Sequence, residues 1–332
     1  MILVTGGTGL VGSHLLWHLL QKGERVRAIH RPGSDLEHVR EVFGYYGNGD
    51  LAEKIEWFPA DTLDLVPLNE AMEGIGKVYH CAAVISFNPS DRKRMRKANI
   101  MSTANIVNLC LEHKVEKLCH VSSVSALGRR YDGSAITEND LWKYSKKRSG
   151  YSVSKFHSEM EVWRGMEEGL NAVIVNPSVI IGPGNWSRGS ARFFTAVRKG
   201  LKYYTEGMTG FVDVRDVCRC MITLMESDIS GERFIINSED IPYRDLFNMI
   251  AKALDKPVPD THASERLAEI AWRLEWLRSR FTWGKPRLTR ETARSGRSIS
   301  RFSNEKIKQA TGHRFIPVEE AVNWTASKMP LQ

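Results

Sequence analysis

Thr5-Gly6-Gly7-Thr8-Gly9-Leu10-Val11-Gly12 is the stretch that decides the fold of this 332-residue chain. Before it lies the apolar run Ile2–Thr5, which is typical of a buried strand, and across Leu10–Gln21 apolar residues recur at helical spacing. The glycine-rich stretch therefore lies where a first strand gives way to a first helix. This position, more than the glycines themselves, indicates a site for an anionic ligand at a helix N-terminus.

The three glycines at positions 6, 9 and 12 suit a dinucleotide pyrophosphate. Such a ligand needs a turn without Cβ atoms, so that backbone N–H groups can approach it. We expect Gly6 to make the turn, Gly9 to allow the close approach and Gly12 to allow close packing of the helix on the sheet. A tight turn with no ligand is the alternative that the spacing leaves open.

Strand-like and helix-like patterns alternate through the first two thirds of the chain. Strands are predicted at 2–5, 25–30, 55–59, 77–82, 117–122 and 171–176, and helices at 10–21, 91–113 and 151–168. Near-continuous apolar strands in this order indicate a parallel sheet covered on both faces. The predicted fold class is α/β, a Rossmann-type doubly wound parallel sheet with a smaller, mostly helical substrate lobe.

The regular alternation lapses after residue 176. Gly182-Pro183-Gly184-Asn185 marks a loop, 186–202 predicts an excursion with its own helix, 211–216 predicts a return to the main sheet, and 233–237 predicts a closing strand. The predicted domains are a dinucleotide-binding domain at 1–182 plus 211–237 and a substrate-binding lobe at 183–210 plus 238–332.

The chain is basic, with a net charge of +8 and an isoelectric point near 9.2. Ten lysines and arginines fall between residues 278 and 308, against Glu291 and Glu305. A solvated face or the rim of an anionic-ligand site is favoured, because no helix-turn-helix, zinc-finger or RNP-type motif accompanies the charge. We therefore expect a small-molecule substrate and no nucleic-acid partner.

No segment of the sequence has the pattern of a leader peptide or of a membrane-spanning helix. The first residues enter a strand pattern directly, and no apolar stretch approaches the roughly 20 residues that a spanning helix needs. We expect a cytoplasmic protein without stable membrane insertion, either a monomer or a homodimer. The five cysteines include no CxxC pair, which favours reduced structural thiols.

Tyr151-Ser152-Val153-Ser154-Lys155 carries the most specific chemical signal. A tyrosine and a lysine four residues apart on a helix share one face. Hydride transfer to a carbonyl leaves an alkoxide that an acid must protonate, and a phenol donates poorly unless a neighbouring cation lowers its pKa. We expect Lys155 to be that cation. His14 and His18 share the same spacing, but no third ligand accompanies them, and no metal is predicted.

The motif Thr-Gly-x-x-Gly-x-x-Gly resembles that of the extended short-chain dehydrogenases/reductases, the epimerase/dehydratase superfamily. The resemblance covers about residues 1–237. Asp61 matches the aspartate that contacts the adenine, and His80-Cys81-Ala82-Ala83 matches the end of the fourth strand. Asn99-Ile100-Met101-Ser102-Thr103 resembles Asn-Val-x-Gly-Thr, with Ser102 in place of the usual glycine.

The resemblance implies a catalytic tetrad of Asn99, Ser123, Tyr151 and Lys155. Aligning Gly128 with the family's glycine assigns the hydroxyl to Ser123, with Ser122 as the fallback. Lys155 would also hold the nicotinamide ribose. The implied cofactor contacts are Gly6, Thr8, Gly9, Leu10, Val11, Gly12, Arg31, Asp61, Thr62, Ala82, Ala83, Tyr151, Lys155, Pro177, Ser178 and Val179.

The sequence is compatible with three functions. The first is an NADP-dependent oxidoreductase acting on a carbonyl or secondary alcohol, similar to the dihydroflavonol 4-reductase and 3β-hydroxysteroid dehydrogenase branch. The second is an NAD-dependent sugar-nucleotide epimerase or dehydratase. The third is a non-catalytic NADP-binding redox sensor, against which the intact tyrosine and lysine argue.

The end of the second strand favours the first function. NAD-binding epimerases usually have an acidic residue there, whereas this chain has His30-Arg31-Pro32. The guanidinium of Arg31 can hold a 2′-phosphate. NADP(H) is therefore favoured as cofactor, with NAD(H) as the alternative.

A helix predicted over 264–283 bears on the substrate. Leu267, Ile270, Ala271, Leu274, Leu277 and Phe281 repeat at helical spacing, with Trp272, Trp276 and Trp283 nearby. Packing of this helix onto the main domain is favoured. A lipophilic substrate wall is the main alternative, and a basic membrane-surface contact is a weaker one.

Overall fold

The computed structural model describes residues 1–145, 148–281 and 289–330. Its main feature is a seven-stranded sheet in which every neighbouring pair is parallel. Its strands are β1 (Ile2–Thr5), β2 (Val26–His30), β3 (Glu56–Pro59), β4 (Lys77–His80), β5 (Lys117–Val121), β6 (Ala172–Pro177) and β10 (Glu232–Ile236). The order across the sheet is β3-β2-β1-β4-β5-β6-β10.

Helices cover both faces of this sheet because alternate residues of its strands are apolar on both sides. In β1, Val4 packs in one hydrophobic cluster and Leu3 in another on the opposite face. The Val4 face is covered by α1 (Leu10–Gln21), α2 (Glu37–Gly44) and α7 (Val214–Glu226). The Leu3 face is covered by α3 (Leu65–Ala71), α4 (Arg92–Glu112) and α5 (Gly150–Glu167).

A second, three-stranded sheet has the order β11-β9-β7. Its strands are β7 (Val179–Ile181), β9 (Met208–Asp213) and β11 (Glu239–Pro242). A third hydrophobic cluster joins this sheet to α6 (Ala191–Arg198), α8 (Tyr243–Ala253) and α12 (Val318–Ser327). The remaining elements are β8 (Tyr203–Tyr204), β12 (Thr261–His262), α9 (Glu265–Phe281), α10 (Arg290–Ser295) and α11 (Glu305–Thr311).

The predicted fold class is confirmed, and the closing strand predicted at 233–237 is β10, which pairs with β6. The prediction that 211–216 returns to the main sheet is wrong. Strand β9 pairs instead with β7 and β11. It ends at Asp213, whose carboxylate accepts a hydrogen bond from Arg215 N and so caps the start of α7. The chain returns through α7, which packs on α1. The predicted domain boundaries stay a prediction.

The sheet order reverses direction between β1 and β4. The chain runs outward from β1 through β2 to β3, then crosses to β4 and continues the other way. In doubly wound sheets, ligands bind at such a switch point, outside the carboxyl ends of the strands. The carboxyl ends of β1, β4, β5 and β6 therefore define where a site is expected.

Among the described residues, no helix is long and apolar enough to cross a bilayer.

Candidate active site at the carboxyl edge of the main sheet

The glycine loop is built from backbone contacts that leave no room for side chains. Gly6 has a φ of +70°, and a Cβ on it would lie 2.7 Å from Ala82 N. A Cβ on Gly12 would lie 2.1 Å from Gly6 O, so Gly12 allows α1 to pack on its own loop rather than on the sheet. Gly9 is exposed and begins α1 without a side-chain cap, which leaves the helix N-terminus open to an anion.

The end of β4 is tied to the glycine loop by Thr5. Its hydroxyl accepts a hydrogen bond from Ala82 N at 3.2 Å and lies 2.7 Å from Nδ1 of His80. Nε2 of His80 lies 3.2 Å from the hydroxyl of Thr103 on α4. Burial lowers the pKa of His80 to about 3, so this imidazole is neutral. This hydrogen-bond network fixes the backbone at the end of β4, against which a dinucleotide would lie.

The loop after β3 is anchored to α4. Ser102 donates a hydrogen bond to the hydroxyl of Thr62 at 2.8 Å, and Asn105 donates to Thr62 O at 2.9 Å. Asp61 is half-buried, and its carboxylate accepts a hydrogen bond from Leu63 N at 3.0 Å. The serine at the usual glycine position of the family motif thus makes a structural contact of its own.

Arg31 leaves the sheet at the end of β2, next to β1 and its glycine loop. The backbone turns immediately, with Ser34 N donating to Arg31 O at 3.0 Å and Gly33 at a φ of +76°. The side chain of Arg31 is exposed, and among the described residues it makes no ion pair. Its guanidinium stands where an anionic ligand can reach it.

Tyr151 and Lys155 lie one turn apart on α5, beside the end of β5. Lys155 is buried and donates a hydrogen bond to Val121 O at 2.9 Å. Tyr151 shares a hydrogen bond with the hydroxyl of Ser123, which also accepts from Ser125 N at 3.2 Å. The structure thus brings together three of the predicted residues at one edge of the sheet.

The pKa values of this group differ from the expectation drawn from the sequence. Burial raises the pKa of Tyr151 to about 12, while the hydrogen bond with Ser123 acts to lower it. Burial lowers the pKa of Lys155 to about 8, against the opposing effects of Cys81 and then Glu159, which act to raise it. The expected lowering of the phenol pKa by Lys155 is therefore not found, and Ser123 is the group that favours ionisation.

Glu159 lies one turn beyond Lys155, and sequence reasoning missed it. Its carboxylate accepts hydrogen bonds from Ser122 at 2.6 Å and from Asn176 at 2.8 Å, and it pairs with Arg233 at 2.9 Å. Asn176 also donates to Ser123 O at 3.1 Å. Ser122, the fallback hydroxyl, is thus engaged with Glu159. The signal was present, since Tyr151, Lys155 and Glu159 recur every four residues on α5.

Asn99 lies on α4 with its side chain turned toward the loop after β4. Its Oδ1 accepts from Val84 N at 2.7 Å, and its Nδ2 donates to Val84 O at 2.9 Å and to Ser154 at 3.1 Å. It therefore holds this loop against α5. Phe87 of the same loop stacks edge-on against Tyr151, with ring centroids 5.9 Å apart.

The segment Pro177-Ser178-Val179 joins β6 to β7 beside these residues. The hydroxyl of Ser178 is buried and has no hydrogen-bond partner in the described part of the chain. An unpaired buried hydroxyl is costly unless a ligand satisfies it. Together with the glycine cradle and the open N-terminus of α1, it fits a nicotinamide dinucleotide.

The two histidines at metal-like spacing serve the packing of α1. The ring nitrogens of His14 lie 2.5 Å from the hydroxyl of Tyr46 and 2.9 Å from Pro183 O. Burial lowers the pKa of His14 to about 3 and that of His18 to about 4. Within the described ranges, no group of three metal-ligating side chains was found.

The predicted packing of the 264–283 helix onto the main domain is wrong. Helix α9 exposes its apolar side chains, and its principal contact is with α10. Its last predicted residues, including Trp283, lie outside the described residues, as does part of the basic 278–308 segment. Through Glu291, α10 pairs with Arg92 at 3.7 Å, and Arg92 packs on Gly150 at the start of α5. The α9–α10 pair thus lies near Tyr151, but within the described ranges no contact makes it a wall of the site.

The fold and the site define the class of protein, a Rossmann-fold oxidoreductase that depends on a nicotinamide dinucleotide. More narrowly, the chain belongs to the NAD dependent epimerase/dehydratase family, whose sequence profile matches residues 2–237.

Within that family, the chain is similar to two proteins named as reductases and to one solved structure. Tetraketide alpha-pyrone reductase 2 of Arabidopsis thaliana is 29% identical, over 75% of this chain and 81% of the relative. Dihydroflavonol 4-reductase of Gerbera hybrida is 26% identical, over 75% and 71%. The crystal structure of gox2253 matches with a TM-score of 0.81 at 31% identity, covering 99% of this chain and 97% of that one. The resemblance to the dihydroflavonol reductase-like branch is confirmed, and the chain is an NAD(P)-dependent enzyme.

Proposed function

We propose that the protein is an NADP-dependent reductase that transfers a hydride between the nicotinamide and a carbonyl or secondary alcohol of a small, lipophilic substrate. The observation that carries the proposal is the grouping of Tyr151, Ser123 and Lys155 at the sheet edge, beside the glycine cradle. Such a grouping supplies an acid, an oxygen-binding hydroxyl and a cation where a carbonyl can be reduced.

When bound, the nicotinamide supplies the hydride. Ser123 donates a hydrogen bond to the substrate oxygen and orients it toward Tyr151. The phenol of Tyr151 then gives its proton to that oxygen as negative charge develops on it. The ammonium of Lys155, held by Val121 O, would bind the nicotinamide ribose and so orient the ring toward the substrate. In the reverse direction the same groups act in the opposite order.

The side chains around Tyr151 support an apolar substrate. Val84, Ile85 and Phe87 all lie exposed on the loop that Asn99 holds beside the tyrosine. Exposed aliphatic and aromatic side chains next to a reacting group favour a hydrocarbon or aromatic body over a sugar nucleotide. The reductase names of the two relatives point in the same direction.

The proposed cofactor contacts are those implied by the family resemblance. Backbone N–H groups of 8–12 would meet the pyrophosphate, Asp61 and Thr62 the adenosine half, and Ser178 the nicotinamide half. Arg31 would meet the 2′-phosphate, since the residues directly at the end of β2, His30-Arg31-Pro32, include no carboxylate to repel it. The substrate would bind between the proposed dinucleotide domain (1–182 plus 211–237) and the second lobe.

The test is a screen of NADPH oxidation across aldehydes, ketones, flavanonols, steroids and nucleotide sugars. We expect turnover with an apolar ketone or aldehyde and none with nucleotide sugars. Redox-neutral conversion of a nucleotide sugar with retained NAD would contradict the proposal and assign the chain to the epimerases. Tight NADPH binding without turnover of any carbonyl would favour a sensor.

A further inference from the structure

Helix α9 carries an apolar stripe that faces away from the rest of the protein. Leu267, Ile270, Leu274, Leu277 and Phe281 follow one another three or four residues apart. At about 100° per residue they fall within an arc of about 80°. Leu274 is 61% exposed and Phe281 77% exposed. None of the hydrophobic clusters of the described residues includes a residue of α9.

The opposite side of α9 explains this outward orientation. Trp272 projects about 180° from the centre of the stripe. It is half-buried, and the guanidinium of Arg290 on α10 lies 6.0 Å from its ring centroid. The helix therefore rests on α10 through its tryptophan side, and the stripe is left outside by the packing.

Arginines border the stripe on both sides. Arg266 and Arg273 lie along one edge, and Arg278 lies along the other, each within about 40° of the nearest stripe residue. Long arginine side chains at such borders can reach phosphates while their methylene groups cover apolar surface.

The carboxylates of α9 lie on the remaining circumference, away from the stripe. Each is paired with an arginine: Glu265 with Arg297 at 3.1 Å, Glu269 with Arg273 at 3.1 Å, and Glu275 with Arg278 at 2.6 Å. The face that α9 presents is thus apolar with a basic rim, on a chain of net charge +8.

We propose that α9 seats the protein on the surface of an anionic lipid bilayer. The stripe would enter the boundary between headgroups and acyl chains, with the bordering arginines at the lipid phosphates. An apolar stripe of leucine, isoleucine and phenylalanine with cations on both borders matches the pattern of a helix that lies in a headgroup interface. Because α10 reaches Arg92 and the start of α5, this contact would bring the candidate site close to the lipid.

Vesicle flotation tests this directly with the full chain. The probes are vesicles of phosphatidylcholine alone and vesicles with about 30 mol% phosphatidylglycerol, at about 0.05 and 0.5 M salt. We expect binding to the anionic vesicles that weakens at high salt, and at least tenfold weaker binding to phosphatidylcholine alone.

Two pairs of double variants separate the stripe from general effects. Ile270→Ser with Leu274→Ser should weaken binding at least tenfold, whereas the matched control, Val66→Ser with Val258→Ser, removes two exposed aliphatic side chains elsewhere and should not. Arg266→Gln with Arg273→Gln should weaken binding roughly tenfold, and Lys199→Gln with Lys256→Gln, which removes the same charge elsewhere, should weaken it less.

Absence of vesicle binding, or a stripe variant that binds like the wild type, would overturn the proposal. A dimer in sedimentation that becomes monomeric only in the stripe variant, with no lipid binding, would assign the face to a second copy of the chain. NADPH binding in solution should be equal in all variants. Vesicle binding needs no turnover, so failure here is distinct from failure of the proposed reductase activity.

Discussion

The phenol of Tyr151, at the start of α5, contacts Ser123 and Phe87, and its pKa of about 12 keeps it protonated until reaction. We expect Tyr151→Phe to lower kcat by roughly 10²- to 10⁴-fold with an almost unchanged NADPH Kd, because the acid is removed and the ring is kept. Steady-state kinetics and a fluorescence titration measure the two quantities. Tyr131→Phe, at a tyrosine 90% exposed, is the control. A wild-type kcat in Tyr151→Phe would remove the tyrosine from the mechanism.

The single positive charge at Arg31 makes cofactor preference testable. A charge-assisted contact contributes about 1.5–3 kcal/mol, so Arg31→Ala should raise the NADPH Kd roughly ten- to a hundredfold and leave the NADH Kd nearly unchanged. Arg25→Ala removes the same charge from the opposite end of β2 and is the control. Both cofactors should be titrated at one ionic strength, since salt screens the contact. Equal loss of both affinities would contradict a 2′-phosphate contact.

Lys155 and its neighbour Glu159 should make kcat for reduction depend on pH. Lys155, with a pKa of about 8, loses its charge as pH rises through 8, whereas Tyr151 stays protonated, so kcat should fall above pH 8. Glu159 acts to raise the pKa of Lys155, so Glu159→Gln should move this fall to lower pH. Glu167→Gln, at an exposed position of the same helix, should not. A Glu159→Gln enzyme with lower kcat but an unmoved profile would indicate a purely structural role.

At the scale of elements, the contact between α1 and its glycine loop is the least tolerant of change. A Cβ at Gly12 would lie 2.1 Å from Gly6 O, so Gly12→Ala must displace the loop. We expect a large loss of NADPH affinity together with a lower melting temperature, because overpacking costs roughly 1–3 kcal/mol. Gly44→Ala, on α2 with open space around it, is the control and should be neutral or slightly stabilising. Unchanged NADPH affinity in Gly12→Ala would show that the loop does not hold the dinucleotide.

The helices and strands also show which parts of the fold could be predicted from the sequence alone. The bounds of α1 and the succession of strands along the chain could be predicted because apolar periodicity is set locally and β1 is buried on both faces. The partner of β9 could not be predicted, since an apolar strand shows no preference between two sheets and its pairing depends on distant Val179–Ile181 and Glu239–Pro242. The exposure of α9 was missed because a helical apolar pattern does not reveal whether anything covers it.

The candidate site was predictable to a similar extent. Tyr151 and Lys155 lie four residues apart, so their grouping follows from helix geometry. The link from Glu159 through Asn176 to Ser123 joins α5, β6 and the turn after β5, and only the assembled sheet brings these together. The pKa of Tyr151 likewise depends on burial, which the motif does not encode.

At the scale of the whole molecule, three buried histidines and the half-buried His18 make stability depend on pH. Burial lowers the pKa of His14 and His80 to about 3 and that of His18 to about 4, and it holds that of His120 well below its usual range. The unfolded chain therefore binds more protons than the folded one below pH 6.5 or so.

The stability contributed by these neutral rings should be complete above about pH 6.5 and lost as pH falls, by about 1.4 kcal/mol per ring and pH unit. Urea unfolding between about pH 7.5 and 5.5 measures the slope. His18→Gln should reduce it, and His262→Gln, at an exposed position, should not. A free energy of unfolding that does not change with pH in this range would contradict the burial of neutral histidines.

The edge position of β10 has a consequence for synthesis on the ribosome. Strand β6 ends at Pro177, but its outer partner spans Glu232–Ile236, so residues 178–236 must be made before the whole pair can form. At about 5–20 residues per second, the outer hydrogen-bonding edge of β6 stays unpaired for roughly 3–12 s. Nascent chains meeting through this edge would pair strand to strand. Slow translation across 178–236 would therefore lower the yield of folded protein, and a chaperone that covers the edge would restore it.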